Sequence, residues 1–271
     1  MKNLINYNFH LDINKDFINQ SFKNSYLINT PFPHVMISNS IDKIFLKKVS
    51  DEVSKFNPSV EKSFYGADKK FTESNINVLP KNTRKLLTFL NSDDWLNTLT
   101  NITGIEELIP DANFEGGGVH RTFKGGFLKV HTDFNWSSKL KAYRRINLIV
   151  YLNQNWNTSW GGECEFWSPD RKSELKKIPI LFNNMIIFNT NDSSFHGHPE
   201  PLNCPEEESR DSIAIYYYTK KEESGLKRWK TVHTNYQSTL NSIIRLTFFK
   251  KQKNIFQLLL RNLNINATFN N

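Results

Sequence analysis

Cysteine is scarce in this 271-residue chain: Cys164 and Cys204 are the only two, in no spacing that suits a metal clip or a redox pair. No disulfide framework can be read from them, and such usage fits a reducing compartment, so a cytoplasmic location is expected. Long apolar runs are also missing. Stretches such as Leu148–Leu152 are far too short to span a bilayer. The opening MKNLINYNFHLDINKDF has neither an apolar h-region nor a small-residue cleavage site, so no secretory signal is expected. There is no internal repeat, and no low-complexity tract beyond a general richness in Asn and Lys. The net charge of +8 is unevenly placed: from Lys220 onward ten Lys/Arg face only Glu222 and Glu223, which leaves the preceding residues close to neutral. The basic balance therefore belongs to a C-terminal appendage and says little about an active site.

What is present suffices for one substantial core, with 38% hydrophobic residues and 13% aromatics. Residues 1–105 read as a mostly helical support region. Ser40 is a candidate N-cap for a helix over 41–56, with Ile41, Ile44, Phe45, Val49, Val53 and Phe56 along one face. A second helix is expected over 83–90, and Ser92 caps a third that carries Asp93 and Asp94 in its first turn. From about Phe123 the texture changes to short strands, RINLIVYL, GECEFW, IPILF, MIIFN and SIAIYYYT, separated by Gly, Pro, Asn, Asp and Ser clusters. Such strands without intervening helices favour a jelly roll over a parallel sheet. The fold class expected is mainly β with N-terminal helices (α+β), with a jelly-roll, cupin-like core over 106–220 and a basic, helical extension over 221–271. That tail, with IIRLTFFKKQKNIFQLLL, reads either as a helix docked on the domain or as an interfacial helix giving peripheral contact with an anionic membrane.

Chemistry begins at His131-Thr132-Asp133. Residues i and i+2 of a strand point to one face, so the imidazole and the carboxylate can converge on one ion. They supply two legs of a 2-His-1-carboxylate triad, which leaves metal positions open for other ligands. The third leg must come from a later strand, and SSFHGHPEPL offers His196 and His198. Fourteen residues beyond His196 stands Arg210, followed by Ser212 on the same strand face. There a guanidinium can grip a carboxylate with two parallel hydrogen bonds, and the serine can add a hydroxyl. An H-x-D pair alone is weak in a chain with seven histidines, and a lone Arg at a strand start is usually a solvated charge. The order H-x-D, His, R-x-S carries the case.

Taken together, GGGVH (116–120), GGFLKVHTDFNW (125–136), RRINLIVYLNQNW (144–156), GGECEFW (161–167), SSFHGHPEPLNCP (193–205) and SRDSIAIYYYT (209–219) resemble the catalytic core of 2-oxoglutarate/Fe(II)-dependent dioxygenases, on their prolyl 4-hydroxylase-like branch. PFPHVMISNSI (31–41) is similar to the strand that often opens such domains. The resemblance implies a double-stranded β-helix core with His131, Asp133 and His196 as iron ligands and Arg210 as partner of the distal carboxylate of 2-oxoglutarate. His196 is preferred over His198 because it follows a Ser-aromatic pair. Asn147 and Tyr151 share a strand face, where they either touch the cosubstrate or fill the barrel interior. Leu128 stands where related prolyl hydroxylases carry a tyrosine, and Arg210 where collagen-type enzymes use lysine, so peptidyl proline is not implied as the substrate. Retention of Asp133 argues against halogenation, which needs that carboxylate removed.

The activity implied is hydroxylation of an unactivated C–H, with Fe(II), 2-oxoglutarate and O2 consumed, succinate and CO2 released, and ascorbate as accessory reductant. The substrate is a small molecule, a glycan or a peptidyl side chain, and His120, Arg121, Arg144 and Arg145 are candidate contacts to an anionic or hydroxyl-rich one. A different class of reading is a non-catalytic jelly-roll module that binds metal or sugar. Nucleic-acid modification would rest on the basic tail alone, which lacks a recognised motif, so no nucleic-acid partner is expected. The oligomeric state is not readable from the sequence.

Overall fold

The computed structural model describes residues 20–58, 60–64, 66–220 and 232–233. In chain order its elements are α1 (Gln20–Ile28), β1 (His34–Ser38), α2 (Lys43–Val53), β2 (Val60–Phe64), β3 (Ala67–Glu73), α3 (Lys81–Leu90), α4 (Asp93–Thr103), β4 (Ile109–Pro110), β5 (Gly118–Thr132), β6 (Trp136–Ser137), β7 (Ala142–Tyr151), β8 (Cys164–Trp167), β9 (Glu174–Ile178), β10 (Asn184–Asn189), β11 (His196–His198), β12 (Ser209–Thr219) and β13 (Val232–His233). The main strand order is β1-β10-β7-β12-β5-β11-β8-β9, and β3 and β13 also pair with β5. All pairings are antiparallel. This is a curled, mostly β jelly-roll core, as expected, with helices on one side.

Period two explains why the core strands read as continuous apolar runs: both of their faces are buried. On β10, Met185 and Ile187 pack toward the helices, whereas Ile186 and Phe188 join a second cluster with Phe32, Tyr151 and Phe166 inside the curl. On β12, Ile213, Ile215 and Tyr217 belong to the helix-side core, which also holds Leu86, Leu90, Trp95 and Leu99. Tyr217 ties the two layers together: its hydroxyl accepts from Trp95 Nε1 at 2.9 Å and donates to the Leu90 carbonyl at 2.7 Å.

The three expected helices form, two of them with shifted starts. α4 is capped by Ser92, whose Oγ accepts from Trp95 N at 3.3 Å, and it ends at Gly104 with φ 71°. α2 is capped by Asp42 rather than Ser40, with Asp42 Oδ1 accepting from Phe45 N at 2.7 Å. The Ser40 hydroxyl is instead held on Asn183, which also takes the Ile41 N–H, so these two residues belong to the sheet-side loop. α3 starts at Lys81, where Glu52 of α2 accepts the N–H groups of Asn82 and Thr83 and so satisfies two orphan donors of the first turn.

The stretch before residue 105 is less helical than its pattern suggests. β1 pairs with β10, and β3 pairs with β5. The chain divides by contacts into residues 1–234 and 235–271, and the described residues belong to the first unit. The helix expected in the basic tail lies outside the described residues. Cys164 and Cys204 are both buried and unpaired. No helix among the described residues is long and apolar enough to cross a membrane.

Candidate active site

A cavity of about 300 Å³ lies on the inner side of the curl, walled by β3, β5, β7, β11 and β12. Alternation on β12 delivers Arg210, Ser212, Ala214 and Tyr216 to it, while the intervening Ile213 and Ile215 face the helices. β5 delivers His120, Leu128 and His131, and Asp133 follows directly after that strand. β11 delivers His196 and His198, with His196 directly opposite His131 and His198 opposite Leu128.

His131, Asp133 and His196 converge: one donor atom from each lies within 4.8 Å of the other two. Nε2 of His131 is 3.5 Å from Asp133 Oδ1, and Nε2 of His196 is 3.4 Å from Oδ2. Adjacent ligands on one ion at about 2.1 Å stand about 3 Å apart, so these separations suit a shared metal. The Nδ1 atoms fix the ring tautomers. His131 Nδ1 lies 2.7 Å from the Lys129 carbonyl and His196 Nδ1 3.0 Å from the Ser194 carbonyl, so each Nδ1 carries a proton and donates it. Both Nε2 lone pairs are thereby aimed at the common point. Burial, followed by repulsion from His131, pushes His196 down to about 4, so it is neutral and able to ligate at neutral pH. Burial opposes ionisation of Asp133. Arg144 and the two imidazoles outweigh it and hold that carboxyl well below the usual range. Donor types, tautomers and charge all fit a divalent iron site.

Asp133 is held by a network that the sequence did not disclose. Arg144 is 1% exposed, stands 3.0 Å from Asp133 Oδ2 and lies 3.3 Å over the Tyr216 ring. Its Nε donates to Asn147 Oδ1 at 2.9 Å, while Asn147 Nδ2 donates to Asp133 Oδ2 at 2.6 Å and Thr190 Oγ donates to Asn147 Oδ1 at 3.1 Å. Arg144 reaches this position through a bulge. Tyr217 pairs with Ile146 but Tyr218 pairs with Arg144, which skips Arg145 and reverses the alternation. Arg145 is turned away and donates to the Thr219 hydroxyl.

At the other end of the cavity Arg210 is seated by two contacts. Its Nε donates to the Gly162 carbonyl at 2.7 Å, and one terminal nitrogen donates to Tyr151 Oη at 3.2 Å. Gly162 has φ +87°, and a Cβ there would lie 2.5 Å from Leu202 and 3.1 Å from the Arg210 side chain, so only glycine fits. An oriented guanidinium sharing a cavity with the triad fits a dicarboxylate whose far end needs a cationic partner.

The sequence-derived candidates therefore separate. His131, Asp133 and His196 meet; Arg210, Ser212, Asn147, His120 and His198 line the same cavity; Tyr151 is fully buried behind it and braces Arg210. Arg121 is not on the wall: it pairs with Asp211 at 3.0 Å and donates to Ser209 and to the Phe56 carbonyl. Sequence reasoning missed Lys70 and Thr72, wall residues on β3 from the region read as helical, and Gly162 as the seat of Arg210. Alternation in ADKKFTE was the available signal for β3, and it is weak.

Residues 117–218 match the model of the 2OG-Fe(II) oxygenase superfamily. No curated protein matches the chain in sequence. Among solved structures, a prolyl hydroxylase from Trichoplax adhaerens in complex with a hypoxia inducible factor peptide fragment is 16% identical with TM-score 0.54, over 74% of this chain and 90% of that one. HygX from Streptomyces hygroscopicus with nickel, 2-oxoglutarate and hygromycin B is 12% identical with TM-score 0.51, over 77% and 90%. A Pseudomonas putida prolyl-4-hydroxylase is 11% identical with TM-score 0.50, over 74% and 100%. Residues 117–218 are thus similar in sequence to the 2OG-Fe(II) oxygenase superfamily, and the chain shares the fold of these solved prolyl hydroxylases and of HygX.

Proposed function

We propose that His131, Asp133 and His196 hold Fe(II), that Arg210 and Ser212 take the distal carboxylate of 2-oxoglutarate, and that the chain hydroxylates an unactivated C–H of a small-molecule or peptidyl substrate. The observation that carries this reading is the placement of the triad and the seated Arg210 on the wall of one cavity. Iron with 2-oxoglutarate and O2 supplies the oxidising power, with loss of CO2 and formation of succinate; ascorbate is the accessory reductant in this reading. The work of the protein is positioning. The carbonyls of Lys129 and Ser194 set the imidazole tautomers, Arg144 and Asn147 keep Asp133 ionised and aimed, and Gly162 and Tyr151 hold the guanidinium in place. The relatives' peptide fragment and hygromycin B support a polar substrate, and Lys70, His120 and Thr72 on the wall suit one that bears hydroxyl or anionic groups.

Anaerobic addition of Fe(II) and 2-oxoglutarate tests the assignment. A weak visible charge-transfer band is expected in the wild type and absent in His131→Ala. No band in the wild type would instead favour a non-catalytic binding module. Succinate release measured across amino acids, peptides and glycans then identifies the substrate class.

A further inference from the structure

His198 is the group in the cavity that the roles above leave unused. It is 4% exposed, it lines the cavity, and neither of its ring nitrogens has a hydrogen-bond partner among the described residues. A buried imidazole without partners is costly, because both nitrogens gave up water to be there. Its position is not that of a metal ligand. His198 stands opposite Leu128, while the converging set is made by His196 opposite His131. The Leu128 side chain offers no polar group across the pair, and neither ring nitrogen is partnered there. Arg210 and Lys70 line the same cavity as His198, so this buried ring shares its space with two cationic side chains. An anion lodged there accepts hydrogen bonds, and a neutral imidazole has one N–H to donate.

We propose that His198 donates a hydrogen bond to the distal carboxylate of 2-oxoglutarate beside Arg210, as a second determinant of cosubstrate selection. The inference rests on the assignment of Arg210 to that carboxylate. The partner is identified by its chemistry: the group must be acceptor-only, anionic and small enough to sit between an imidazole and a guanidinium.

The test uses the full chain loaded with Ni(II), which binds without turnover. Affinities of 2-oxoglutarate and of 2-oxopentanoate are measured by titration calorimetry, or by competition where weak, in the wild type, His198→Phe and His198→Gln. The two acids share the head that meets the metal, and 2-oxopentanoate carries a methyl where 2-oxoglutarate has its distal carboxylate. A lost hydrogen bond to a charged group corresponds to about 10- to 100-fold. His198→Phe is expected to weaken 2-oxoglutarate by that factor, with 2-oxopentanoate and Ni(II) affinity unchanged, and His198→Gln, which keeps an N–H donor, to recover part of the loss. Equal losses for both acids, a loss of Ni(II) affinity, or unchanged discrimination in His198→Phe would each overturn the inference while leaving Arg210 in place. A wild type that binds both acids alike would overturn the Arg210 assignment and this one with it.

Discussion

Replacing Arg144 with methionine tests how Asp133 is kept ionised inside the protein. Arg144 is 1% exposed and stands 3.0 Å from Asp133 Oδ2. Methionine fills much of the same volume without the charge, so packing changes little while Asp133 loses its principal counter-charge. Removing one partner of a buried ion pair costs about 3–5 kcal/mol, because the remaining charge is left uncompensated. The stacking on Tyr216 adds about 1–2 kcal/mol for a desolvated cation on a ring. The Asn147 carbonyl still receives the Thr190 hydroxyl, so little is lost there. Relief comes from methionine's own cheap burial, which leaves a net expectation of about 3–5 kcal/mol for the metal-free protein at neutral pH. Urea denaturation with chelator present reads this as a lower midpoint at unchanged slope. Adding Asp133→Asn to Arg144→Met removes the stranded charge and is expected to recover about 2–3 kcal/mol, well outside additivity. A cost for Arg144→Met below about 1 kcal/mol, or no recovery in the double variant, would refute the buried pair as the support of the metal carboxylate.

Three further outcomes follow from the same geometry. Gly162→Ala forces a Cβ to within 2.5 Å of Leu202 and 3.1 Å of the Arg210 side chain at a positive φ, so the KM for 2-oxoglutarate is expected to rise with a stability loss of about 1–3 kcal/mol, read by steady-state kinetics and thermal melts. Tyr217→Phe leaves the Trp95 indole N–H and the Leu90 carbonyl unpaired in the helix-side core, which predicts a loss of about 1–3 kcal/mol with the Fe(II)–2-oxoglutarate band unaltered. For pH, the depressed His196 has one sign: the folded protein keeps the ring neutral down to about 4, whereas the unfolded chain protonates it near its ordinary value. Its contribution is therefore fully present above about 6.5 and lost as pH falls toward 4. Metal-free denaturation across that range should show a steeper fall in stability than the His196→Phe variant.

The sequence by itself determined the parts of this protein that depend on short periods. Alternation along an unbroken strand places Arg210 and Ser212 on one face, and carried one residue past the end of β5 it does the same for His131 and Asp133. Ser92 with two aspartates after it marks a helix start because the capping interaction is local. The jelly-roll class was legible for the same reason, since short β-branched runs punctuated by turn residues have few other ways to bury two faces. Tertiary structure decided whatever depends on register. His196 and His198 share a face, and only the pairing of β11 with β5 sets the first opposite His131 and the second opposite Leu128. A one-residue bulge at Arg145 turns Arg144 inward to Asp133, against the alternation that would have paired Arg145 with Asn147. Asn147 was readable as an inward residue, yet its hydrogen bond to Asp133 needed the loop after β5 to return over β7. Lys70 and Thr72 come from a strand whose local pattern is weak, and β5 draws them into the wall. A register shift of one residue moves a side chain to the opposite face at no local cost, so only the sum of long-range pairings can choose among such arrangements.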